Sequence, residues 1–99
     1  SKSLKSLDLT GRGYGDGRIG PRGATALASA IVVMASLTKI SVRENELGDE
    51  GTTILCDALR ESKVTKVQEL DLHYNSIGPD GAKAVAAMAA VTGSLTSVR

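Results

Sequence analysis

Three stretches of the chain carry the same alternation of apolar and polar positions. Leu4-Lys5-Ser6-Leu7-Asp8-Leu9 returns as Leu37-Thr38-Lys39-Ile40-Ser41-Val42 and again as Val67-Gln68-Glu69-Leu70-Asp71-Leu72, and a fourth copy starts at Leu95-Thr96-Ser97-Val98-Arg99. Alternation of this kind predicts a short strand with one buried face. Each copy leads to a second block: Ile19-Gly20-Pro21-Arg22-Gly23, Leu47-Gly48-Asp49-Glu50-Gly51 and Ile77-Gly78-Pro79-Asp80-Gly81. An apolar, alanine-rich run follows every block and predicts a helix. Gly20, Gly48 and Gly78 are expected at the helix N-caps, and Pro21 and Pro79 at the first helical position, where a missing N–H is harmless. Asp49, Glu50 and Asp80 fall in first turns, against the positive end of the helix dipole. On the expected helices Ile54, Leu55, Ala58 and Leu59 share a face, as do Ala82, Val85, Ala86 and Ala89.

The first apolar positions of successive copies are 33, 30 and 28 residues apart. Five extra residues between Leu9 and Ile19, and two after the second helical run, account for the longer intervals, so the underlying period is 28. The repeats run over about 4–36, 37–66 and 67–94, with a partial copy at 95–99, in a single domain. No such unit can bury its apolar face alone; neighbours must stack, with the strands in a parallel sheet and the helices outside it. Helices are wider than strands, so the stack curves and the sheet takes the concave side.

A 28-residue period with strand L-x-x-L-x-L, an Asn three residues on, and a helix-opening G-x-x-G resembles the ribonuclease-inhibitor type of leucine-rich repeat over nearly the whole chain. The resemblance implies an α/β solenoid that presents its concave sheet to a protein partner and has no catalytic role. It also gives Asn45 and Asn75 a structural role, since in this family that Asn turns inward and hydrogen-bonds loop backbone from repeat to repeat, which buried turn backbone requires. Some members resemble GTPase activators of the nuclear-transport system, and nothing in these residues specifies that activity. A segment of a longer solenoid, or a subunit of an assembly, is the alternative use.

Read across the copies, the polar strand positions form columns: Ser6, Lys39, Glu69 and Ser97; Asp8, Ser41, Asp71 and Arg99; Thr10, Arg43 and His73. All of these but Ser97 are the candidate partner-binding residues. The first repeat lacks the Asn and has instead the Gly-rich insertion Thr10 to Arg18, in which Arg12, Tyr14, Asp16 and Arg18 make a candidate contact loop, because Tyr and Arg are enriched among binding hot spots. That insertion contains Gly15-Asp16-Gly17-Arg18-Ile19-Gly20, formally G-x-G-x-x-G. A dinucleotide site is rejected, since Gly20 already has equivalents in Gly48 and Gly78, and the position about 20 residues on is Ile40 and not an acid.

Composition narrows the classes further. Twelve Lys and Arg balance eleven Asp and Glu, leaving no field to attract nucleic acid. The apolar run Ala24 to Leu37 is too short and too interrupted by Thr25, Ser29 and Ser36 for a membrane span of roughly 20 residues. With no Trp or Phe and only two Tyr, aliphatic side chains must build the core. The single Cys56 cannot close a disulfide within the chain and is expected to be buried as a small apolar group, which places the protein inside the cell, in the cytoplasm. His73, the one histidine, has no second ligand at metal spacing, so neither a metal nor a cofactor is expected. Leu4, Leu7 and Leu9 at one end, and Leu95 and Val98 at the other, have no polar capping repeat. The chain is therefore expected to be part of a longer array, with ends able to self-associate.

Overall fold

The computed structural model describes residues 5–9, 11, 19–31, 33–34, 36–62 and 66–99. Strands β1 (Ser6–Asp8), β2 (Lys39–Ser41), β3 (Glu69–Asp71) and β4 (Ser97–Val98) alternate with helices α1 (Gly20–Ile31), α2 (Gly48–Glu61) and α3 (Pro79–Val91). The strands form one parallel sheet in the order β1-β2-β3-β4, in register, so that Leu7, Ile40, Leu70 and Val98 stand side by side. The three helices line up on the other side of the core, α2 between α1 and α3. Three strand–helix units plus the strand of a fourth make the stack, each helix crossing over between two neighbouring parallel strands.

The interior is aliphatic. Leu37, Ile40 and Val42 of the second unit and Val67, Leu70 and Leu72 of the third are buried against Leu47, Leu55, Leu59 and Met88. The three-residue strands β1, β2 and β3 send their central side chain inward, and the two-residue β4 sends Val98, which is all that a strand covered on one face needs to contribute.

The helix starts differ in part from the sequence expectation. Gly78 is the N-cap of α3, with Pro79 as first residue, but Leu47 is the N-cap of α2 and Gly48 is already helical. Gly20 likewise opens α1. Gly20 and Gly48 have φ of 64° and 63°, and a Cβ at either would meet nothing within 4 Å, so the left-handed backbone and not crowding calls for glycine there. Each then gives its N–H to the Asn carbonyl of the following unit, Gly20 to Asn45 at 2.9 Å and Gly48 to Asn75 at 2.8 Å.

The buried face of α3 also differs. Gly81 and Met88 are buried and Ala84 and Val85 half-buried, whereas Ala82, Ala86 and Ala89 are exposed. Alanine occurs on every side of this helix, so periodicity cannot choose a face, and α3 has a helix on one flank only. In α2, flanked on both sides, Leu55 and Leu59 are fully buried and Ile54 and Ala58 half-buried.

Asp49 makes an unexpected contact. Its carboxylate accepts N–H groups from the next unit, Gly78 at 2.6 Å and Gly81 at 3.0 Å, and so caps α3 from α2. A Cβ on Gly81 would come within 2.7 Å of that same oxygen. Pro21 and Pro79 hold the equivalent place in the other units, so this cap exists at one junction. Asp49→Ala is expected to lower stability by about 1 kcal/mol, as loss of an N-cap does, with Asp49→Asn retaining most of it. Equal urea midpoints for Asp49→Ala and the parent would show that the two amides lose nothing when water replaces the carboxylate.

Candidate functional site: the sheet face and its rim

Two kinds of residue meet along the C-terminal edge of the sheet: those that build the turn after each strand, and those that stand out from it. Asn45 and Asn75 are of the first kind and are fully buried. Asn75 Oδ1 accepts the Asn45 and Leu47 amides at 2.9 and 3.3 Å, while Nδ2 shares its hydrogens among the carbonyls of Val42 at 2.8 Å, Leu72 at 3.0 Å and His73 at 3.2 Å. Asn45 does the same one unit earlier. Its Oδ1 accepts the Ile19 amide at 3.1 Å, and its Nδ2 reaches the Leu9, Val42 and Arg43 carbonyls. Each Asn thus satisfies backbone of its own unit and of the unit before it. The residues on either side of it take left-handed backbone, Glu44 and Glu46 with φ of 58° and 51°, Tyr74 and Ser76 with 59° and 54°.

Of the second kind are the sheet columns. Ser6, Asp8, Lys39, Ser41, Glu69, Asp71, Ser97 and Arg99 line one shallow groove over the strands, with a volume of about 210 Å³. Lys39 Nζ lies 3.5 Å from Glu69 across the β2–β3 pair, both ends exposed, an ion pair that water screens and that contributes little to stability. Asp71 is the best-connected member. Oδ1 accepts the His73 amide at 3.1 Å and faces His73 Nδ1 at 2.7 Å, and Oδ2 lies 3.5 Å from Arg43 Nε. Partial burial would raise the Asp71 carboxyl, but the His73 amide and ring, then the charges of His73 and Arg43, outweigh it and hold the group below the usual carboxylate range. Asp71 is therefore ionised at neutral pH.

Tyr74 completes this rim and is not among the residues that the sequence pattern singles out. Its ring centroid lies 5.7 Å from the Arg43 guanidinium carbon and 5.9 Å from the His73 ring. A signal for it exists, since the residue before the Asn of L-x-x-L-x-L-x-x-N always falls on the turn. Thr10, Arg12, Tyr14, Asp16 and Arg18 lie outside the described residues. The ends of their segment are tied to the same edge, Gly11 N–H to the Arg43 carbonyl at 2.7 Å and Ile19 N–H to Asn45.

The family model for the leucine-rich repeat matches residues 33–53 and 65–86, the span over which strand, Asn turn and helix recur in the structure. The fold is that of a leucine-rich-repeat solenoid. Among the described residues no group of three or more His, Cys, Asp or Glu is placed to hold a metal ion. Nor is any described helix long and apolar enough to cross a membrane. The solenoid is similar to RAN GTPase-activating protein 2 of Arabidopsis thaliana, 35% identical over 63 residues, which is 64% of this chain and 11% of that protein. Cys56 is buried in α2, where burial first and the neighbouring Asp57 charge second push its thiol up to about 12, far from the range of a reactive thiolate.

Proposed function

We propose that the solenoid binds a protein partner on its sheet face, through Ser6, Asp8, Lys39, Ser41, Arg43, Glu69, Asp71, His73 and Arg99, with Thr10 and the Arg12, Tyr14, Asp16 and Arg18 segment as further candidates. The observation that carries this reading is the open groove over the strands, lined by charged and hydroxyl side chains of every unit. The 28-residue period and the strand–Asn spacing support the ribonuclease-inhibitor-like type of repeat. Immobilised solenoid should retain a partner, and the pair Lys39→Glu with Ser41→Arg should abolish retention while leaving the circular dichroism spectrum unchanged. Lys83→Glu on the exposed side of α3 is the control. Retention lost with Lys83→Glu and kept with the sheet-face pair would move the site to the helices.

A second reading, regulation of a small GTPase, is favoured by the name of the Arabidopsis relative. It requires that GTP hydrolysis by a Ran-type GTPase accelerate on addition of the chain. Binding without acceleration leaves the first reading alone.

A further inference from the structure

We infer that the partner is anchored at the rim by Arg43 and Tyr74, and that what they hold is a short protein segment with one carboxylate side chain beside an apolar one. The inference rests on the sheet-face reading above and narrows it.

Tyr74 is the starting point. Large apolar side chains exposed among the described residues are Val33, Tyr74 and Val91; the two valines are at helix C-terminal ends, and Tyr74, 70% exposed, stands beside the sheet groove. Its backbone is left-handed, as is that of Glu44 at the same place one unit earlier, so the turn imposes the conformation whatever the residue. A bulky side chain is poorly suited to that conformation, which Asn or Gly adopts readily. Tyr74 buries little and adds nothing to the core, so the fold alone gives no reason for a ring there. An exposed ring within 6 Å of both a guanidinium and an imidazole is a preformed contact surface of the kind found at binding hot spots.

The hydrogen-bonding capacity left over decides the chemistry. One Asp71 oxygen is hydrogen-bonded by His73; the other lies 3.5 Å from Arg43 Nε, paired in charge but not hydrogen-bonded, so Arg43 Nε is itself a buried donor without an acceptor among the described residues. The outer nitrogens of Arg43 have no acceptor among the described residues, and neither has the guanidinium of Arg99, whose backbone is paired alongside Asp71 on the next strand. Donors therefore remain unspent around an occupied carboxylate, and a fork of N–H groups matches a second carboxylate from outside. Glu44 in the adjacent turn, together with Asp71, disfavours a doubly charged phosphate or a run of acids. A single carboxylate fits best, with its apolar neighbour on the Tyr74 ring.

The probe is a display library of random unmodified peptides selected on the full 99-residue chain. Enriched peptides should carry Asp or Glu next to an aromatic or branched aliphatic residue, and Tyr74→Ala or Arg43→Met should weaken their binding about tenfold or more. Tyr74→Phe should keep most of it, and Arg43→Glu should come to prefer the same peptide with Lys in place of the acid. Tyr74→Asn is the most discriminating variant: it should lose binding and melt at the same temperature as the parent or higher, whereas a structural tyrosine would lower the midpoint. Peptides without an acid, a preference for phosphorylated over unmodified peptides, or binding unchanged by both Tyr74→Ala and Arg43→Met would overturn the inference. Binding lost with Ser41→Arg but indifferent to the rim variants would do so while leaving the sheet-face reading standing. Binding indifferent to both sets would sink both.

Discussion

Asn75→Ala is expected to lower the unfolding free energy by about 3 kcal/mol, a large part of the roughly 5–15 kcal/mol available to a small domain. The side chain is 1% exposed, and its removal strands the Asn45 and Leu47 amides and the Leu72 carbonyl, whereas the Val42 and His73 carbonyls keep Asn45 Nδ2 and the Glu44 N–H. Losing a buried partner costs about 1–3 kcal/mol for the groups left unpaired, and here they belong to two units at once. Asn45→Ala should cost less, because Asn45 Oδ1 serves one amide where Asn75 Oδ1 serves two. The Asn45 amide is also a direct partner of Asn75 Oδ1 at 2.9 Å, so the double variant should depart from additivity. Urea melts with an unchanged slope would measure all three. A loss under about 0.5 kcal/mol for Asn75→Ala, the level of ordinary surface changes, would refute its structural role.

Leu70→Ala should be of similar size, about 2–5 kcal/mol, for a different reason. Leu70 is 1% exposed at the middle of the sheet, with Ile40 on one side and Val98 on the other, and rigid neighbours on both flanks cannot close over the cavity. Val98 occupies the same inward position on β4 but is half-buried, so Val98→Ala should cost about 1 kcal/mol. Thermal melts giving equal losses for the two would mean that stability is not graded by how many units cover a residue.

Whatever recurs in the chain can be read from it. The strands, their register, the inward apolar column and the turn positions of Asn45 and Asn75 all follow from a pattern present in several copies, where one copy checks another. What the sequence does not disclose lies where the copies differ or where partners are lateral. The buried side of α3 is illegible because its alanines erase the contrast between faces. The Asp49 cap links residues 29 and 32 positions apart, and only the sideways placement of α2 against α3 brings them together. Gly48 is expected one step outside the helix because a glycine before a helix usually caps it, and here the left-handed turn continues into the first helical residue. For the site, the sheet columns are legible from alternation alone. The Gly-rich insertion makes Tyr14 the more conspicuous tyrosine, whereas the importance of Tyr74 depends on its distances to Arg43 and His73, which no linear pattern contains.

The bonds that tie one unit to the next have a bearing on how such a chain finds its fold. The side-chain bonds between units join residues 26 to 36 positions apart, from Ile19 with Asn45 to Leu9 with Asn45, and each stops at the adjacent unit. The loop that must close for each new unit to dock is therefore of constant length. Closure entropy, which slows folding when contacts are remote, does not grow as units are added, and the separation of contacts relative to total length falls. Lengthening the array by whole units adds stability without lengthening the search, so the rate at which one unit docks on its neighbour sets the pace for all of them.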